Sequence, residues 1–248
     1  MEDPIVISDK ETRQRLLEAA GRLFADRGFK DVSIREICKE AGGANLAAVN
    51  YYFRDKAGLY RELLEHMIRI AWQPRREQLL KRLEGKAAEE KLRIYVRSLI
   101  GDVLGENQDE FHGFFDRMLE REMADPTPQF EVVVEQGMRP NFRLLSEIVA
   151  EVMSLALDDG RVLRATLSTM GQCLIYGSMR RLSKYFAPGV EFTPGVIDGI
   201  ATGVAEYSLA GIRALAQQTG QGPAYTCATG QRDETSEPEP VQNSEEKH

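Results

Sequence analysis

Between Ser33 and Lys56 the chain gathers Arg35, Asn45, Asn50, Tyr51, Tyr52 and Lys56, with the small residues Ala47 and Ala48 among them. These side chains make hydrogen bonds and close contacts and perform no catalysis. An amide pairs twice with adenine, a guanidinium pairs with guanine, and a methyl group touches that of thymine in the major groove. Asn50 is therefore the leading candidate for a base edge, and Ala47 and Ala48 permit close approach. Tyr51 and Tyr52 offer phenol hydroxyls to phosphates or bases. Arg35 can reach a base edge or a phosphate, and Lys56 stands where a helix start favours phosphate. Catalytic candidates are scarce. No HExxH, paired ExxH, GxSxG, phosphate-binding loop or dinucleotide fingerprint occurs, which leaves an enzyme on a helical bundle little beyond Glu122 and His112.

The elements that must position these groups are helices. Ser33 with Glu36 forms a capping-box pattern, and Ile34, Ile37 and Cys38 make the inner face of a helix ending near Ala41. Gly42 and Gly43 then turn the chain, and Asn45 can cap a short helix to about Phe53. Val49 and Phe53, four apart, point inward with Ile37 and Leu59, so Asn45, Leu46, Ala47, Ala48, Asn50, Tyr51 and Tyr52 share the outer surface. A first helix over residues 9 to 27 opens with Ser8 and Glu11, buries Leu16, Leu17, Ala20, Leu23 and Phe24, and stops at Gly28. A fourth, capped by Asp55, carries Leu59, Leu63, Met67 and Ile70 until Pro74. The arrangement predicts a helix-turn-helix that reads DNA. A plain three-helix core, its tyrosines packed and its Asn50 merely solvated, accounts for the same features taken singly.

Helical periodicity continues over 87–104, 109–124, 129–157, 159–186 and 193–218, with Pro140 placed to split the third segment. The fold class expected is all-α, an N-terminal helix-turn-helix joined to a C-terminal helical bundle. The divisions expected are a flexible start (1–8), a DNA-binding domain (9–56), a connecting helix (57–74), a ligand and dimerisation domain (75–216) and a disordered acidic tail (217–248).

The formal net charge of -7 divides unevenly. Residues 10–56 carry ten Lys and Arg against seven Asp and Glu, so a mildly basic reader sits on an acidic body. Cys38, Cys173 and Cys227 are dispersed, with no CxxC and three histidines in all, so neither a disulfide framework nor a metal site is expected, and no cofactor. Cys38 reads as a small buried apolar side chain. No apolar run is long enough for a membrane span, and MEDPIVISDK lacks the features of a signal peptide, so the cytoplasm is expected.

Thr12-Arg13, the block LLEAAGRLFADRGF from Leu16 to Phe29, VSIREICKEAG, and NYYFRDKAGLY through Leu63-Leu64 together resemble the DNA-binding domain of the TetR/AcrR transcriptional regulators. The chain departs from the commonest pattern by one extra residue between Ala41 and the YYF element, and by Asn50 where a tyrosine is usual. AAVNYYF and the block LEREMADPTPQFEVVVEQGMRPNFRLLSEIV resemble the subgroup with a CerR-type C-terminal domain. The resemblance adds Thr12 and Ser33 to the expected DNA contacts. It implies a homodimeric repressor on double-stranded operator DNA, released by a small-molecule effector.

A single recognition helix spans too few base pairs for useful specificity, so two-fold pairing on a palindrome is expected on physical grounds also. Gly195, Gly199 and Gly203, four apart with Tyr207 next in the series, and Leu163, Leu167, Met170 and Leu174 are the expected dimer face. Packing of the small face within the subunit is the alternative. For an effector, Phe111, His112, Phe115, Met118 and Met123 lie on one segment and Gln172, Tyr176 and Met179 on another, a set equally suited to a pocket or to ordinary core. A DNA binder without effector and an activator are the other readings, distinguished by a ligand-dependent change in DNA affinity and by operator position.

Overall fold

The computed structural model describes residues 9–105 and 110–218. The expectations for Ser8, Cys227 and the tail from residue 219 onward lie outside the described residues. All regular structure among the described residues is helical. Helices α1 (Asp9–Arg27), α2 (Ile34–Glu40), α3 (Leu46–Phe53) and α4 (Lys56–Met67) form the first group. After them come α5 (Gln73–Leu83), α6 (Ala88–Leu104), α7 (Glu110–Ala124), α8 (Phe130–Val133), α9 (Arg139–Met153), α10 (Gly160–Phe186) and α11 (Pro194–Ala216).

Pro74 was expected to end the fourth helix, but the chain runs through it. Ile68–Trp72 widens into a π turn, and Pro74 falls in the first turn of α5, where a missing N–H costs nothing. The same solution recurs at Pro140, where α8 passes through a π turn (Val134–Met138) into α9. In both places the residue just before the proline donates to the carbonyl five back, Gln73 to Ile68 and Arg139 to Val134. The widened turn moves aside the carbonyl that the proline ring would otherwise strike. The split expected at Pro140 therefore occurs as a swelling of the helix, and α9 ends early, at Met153.

The two π turns pack together. A Cβ added at Gly137 would lie 1.9 Å from Cζ3 of Trp72, so the indole rests on bare backbone there. The other side of the indole meets Phe115 edge to face, with ring centroids 5.0 Å apart.

Two cores result. The first holds Leu16, Phe24, Ile37, Cys38, Val49, Phe53, Leu59 and Leu63, and continues through Met67 and Ala71. It also takes in Phe115 and Met118 of α7 and Val132 and Val133 of α8. The second joins α5, α6, α9, α10 and α11 through residues such as Leu92, Ile100, Val149, Cys173 and Leu209. Each large apolar side chain so buried contributes about 1.5–3 kcal/mol. Among the described residues no helix is long and apolar enough to cross a membrane.

Gly137→Ala should force the Trp72 indole or the π turn to move and destabilise the fold by about 1–3 kcal/mol. Denaturant unfolding of the full chain, followed by the fluorescence of this tryptophan, measures it.

Candidate nucleic-acid interface

The reader is built by its caps. Ser33 Oγ accepts from Glu36 N–H at 3.3 Å while Glu36 Oε2 accepts from Ser33 N–H at 2.8 Å, the reciprocal pair expected for the start of α2. Arg27 donates to Glu36 Oε1 at 2.7 Å. That bond first, and then the two from Ser33, hold the Glu36 carboxyl at about 2, below its ordinary 4.5. Gly42 and Gly43 both take left-handed φ values, +83° and +80°, and the N–H groups of Gly43 and Ala44 return to Cys38 O at 3.0 Å each. These two residues make the turn between α2 and α3. Asn45 Oδ1 then accepts from Ala47 N–H at 2.9 Å and starts α3, and Asp55 Oδ1 accepts from Gly58 N–H at 2.7 Å and starts α4.

On α3, Val49 and Phe53 are buried, which turns the opposite face to solvent. Leu46, Ala47, Asn50 and Tyr51 are exposed along it, Tyr51 by 77%, and Ala48 is half-buried beside them. Tyr52 is half-buried against the core with its ring 4.9 Å from that of Tyr51, so the two tyrosines are unequal. Arg35 and Ser33 are exposed at the start of α2, and Thr12 is half-buried on α1. The side chains of Ser33 and Asn45 are already engaged as caps. Lys56 differs from its expected part. Its ammonium lies 4.4 Å over the Phe29 ring and donates to Lys30 O at 3.5 Å, and burial lowers its pKa, because the first turn of α4 packs on Phe29. Arg54, which was missed, is exposed one turn beyond Asn50 at the C-terminus of α3. The spacing Asn50 to Arg54 was the available signal.

The expected effector residues do not come together. Phe115 and Met118 are fully buried in the first core, Tyr176 packs on the second, and Gln172 donates to Ser168 O at 3.3 Å within its own helix. Met179 is half-buried, and Met123 is 62% exposed. The side chains of Phe111 and His112 lie outside the described residues. The reason is the direction in which α7 packs, with its apolar stripe against α1 and the first core. A cleft of about 290 Å³ lies elsewhere, between α5, α6 and α11, lined by Arg82, Arg93, Ile94, Arg97, Asp198 and Thr202 among others.

The expected dimer face is largely open. Leu167, Leu174 and Tyr207 are exposed, joined by Ile175, while Leu163 is half-buried and Met170 turns partly onto the second core. A Cβ at Gly195, Gly199 or Gly203 would meet nothing within 4 Å. Among the described residues nothing packs on the glycines of that face.

Residues 88–215 match the family model described as the C-terminal domain of the HTH-type transcriptional dual regulator CecR, and residues 16–63 match that of the bacterial regulatory proteins of the tetR family. The chain belongs to the TetR family, with a C-terminal domain of the CecR type. That family is one of DNA-binding regulatory proteins and not of enzymes. The chain is 40% identical over 57 residues to the probable HTH-type transcriptional regulator YttP of Bacillus subtilis, covering 23% of this chain and 25% of YttP. It is 25% identical over 178 residues to CecR of Shigella flexneri, covering 69% of this chain and 78% of CecR. Thus the chain spans only 25% and 47% of the first two curated relatives that it matches. A solved TetR-family regulator from Streptomyces coelicolor, 22% identical, superposes with a TM-score of 0.55 over 82% of this chain and 97% of that one, a likeness of fold.

Because the folded state holds Glu36 ionised where the unfolded chain would take up a proton, its contribution is complete above about 4.5 and is lost as the pH falls through about 2. The melting-temperature gap between the wild type and Glu36→Gln should be present near neutral pH and close on acidification. Ser33→Ala should cost about 1 kcal/mol in the same assay.

Proposed function

We propose that the chain is a homodimeric repressor that grips a palindromic operator with α3 and lets go when a small molecule binds its C-terminal domain. The observation that carries this reading is the exposed stripe Leu46, Ala47, Asn50, Tyr51 and Arg54 standing over buried Val49 and Phe53. Asn50 reads a base edge, Ala47 and Ala48 give close approach, and Tyr51, with Thr12, Ser33, Arg35 and Tyr52 around it, steadies the helix on phosphates and neighbouring bases. Pairing runs through the outer faces of α10 and α11, where Leu167, Leu174, Ile175 and Tyr207 are exposed beside the open glycine stripe. The reader is taken as residues 9–56, the connector as 57–74 and the body as 75–216, acting in the cytoplasm. The effector works by binding better to a conformer whose two readers are wrongly spaced. Activation as well as repression is a second reading, favoured by the name of the Shigella protein, a dual regulator.

Selection of duplex DNA by the purified protein tests the proposal. A palindrome with half-sites about one helical turn apart is the expected product, and its absence with folded protein would sink the reading. Asn50→Ala should relax preference at one base position by about 1–3 kcal/mol and leave the others as they were. Ile175→Glu should convert the dimer to a monomer in sedimentation equilibrium at micromolar concentration, and with it lower operator affinity.

A further inference from the structure

Arg121 and Glu122 in the last turn of α7, and Asp125 just beyond it, tie the body to the N-terminal helices. Arg121 Nε donates to Ala25 O at 3.2 Å, and its second guanidinium arm reaches Asp26 O. These carbonyls belong to the last turn of α1, which has no helical partner for them and whose dipole favours a cation. Glu122 is only 2% exposed, and its Oε1 accepts from the hydroxyl of Tyr60 on α4 at 2.7 Å. Its Oε2 accepts from Thr127 N–H at 2.9 Å, and the Thr127 hydroxyl donates to the same carboxyl. Burial first, and then Glu122, push the Tyr60 phenol far above its ordinary range, so that it keeps its proton and donates. Asp125 pairs with Lys30 at the rim.

A buried carboxyl is a costly way to glue two surfaces that already share Phe115 and Met118. Apolar packing tolerates sliding, whereas directed hydrogen bonds do not. Tyr60 lies on α4, which begins just three residues after α3 ends, so fixing the direction of Tyr60 fixes that of the recognition helix.

We propose that Arg121 and Glu122 are positioning residues for DNA reading, which set the angle of the reader on the body and thereby the half-site separation that the dimer accepts. This rests on the dimeric reading above.

The test uses the full-length protein and duplexes that carry the selected half-site twice, with the separation changed one base pair at a time. The wild type should lose about tenfold in affinity per step away from its optimum, the size of an ordinary mismatch. Tyr60→Phe, which keeps the packing, and Arg121→Met, which keeps the aliphatic stem, should bind the optimal duplex yet lose only about threefold per step, or roughly half the free energy. Arg121→Lys should restore part of the wild-type profile. Variants that melt lower but keep the wild-type spacing profile, or that weaken equally at every separation, overturn the proposal, because a purely structural clamp does only that. A wild type indifferent to spacing overturns the dimeric reading, and this proposal falls with it.

Discussion

Helices of seven and eight residues do not persist alone in water, because the cost of nucleation is recovered only over several turns. Everything presented by α2 and α3 depends on answering that constraint, and the reader answers it from both ends. Ser33, Asn45 and Asp55 supply acceptors where backbone donors would be orphaned, while Ile37, Val49 and Phe53 share a core with α1 and α4. Once one face is anchored, the geometry of the helix dictates what faces outward. The exposed stripe of α3 is thus a remainder left by burial, which explains why it holds residues as unlike as Leu46 and Asn50.

The same economy governs the join between reader and body. Helix α7 follows the connecting helix and lies within the residues that match the C-terminal family model, yet its inner face completes the core of the first four helices. No loose linker intervenes, since the chain passes from α4 through a π turn directly into α5. The body therefore touches the first core through α7 and α8 as well as along the connecting helix. A mildly basic reader on an acidic body adds an electrostatic orientation, because phosphate attracts one end and repels the other.

Local signals were legible in proportion to how local their physics is. Caps at Ser33, Asn45 and Asp55, the glycine turn at Gly42-Gly43 and the inward positions on α3 depend on residues within one or two turns, and the sequence displays them. Pro74 was legible as an interruption, but its resolution depended on whether a π turn could find room, and that room comes from Gly137, more than sixty residues away. The stripe that holds Phe115 and Met118 suited a pocket and ordinary core equally, because it named no neighbour, and the first core supplied one. The position of Lys56 at a helix start likewise said nothing of Phe29 beneath its ammonium.

The outer face of α11 carries an odd consequence. Four glycines, at 195, 199, 203 and 211, have no atom of the described residues near enough to resist a methyl group. In the isolated subunit each replacement by alanine would make the helix more robust, by about 1 kcal/mol. Yet every methyl would also thicken a groove into which another backbone can sink. Where this face carries the proposed pairing, improvement of the single chain and improvement of its pairing are opposed, and a search for sturdier variants that scored melting alone would steadily select molecules less able to pair.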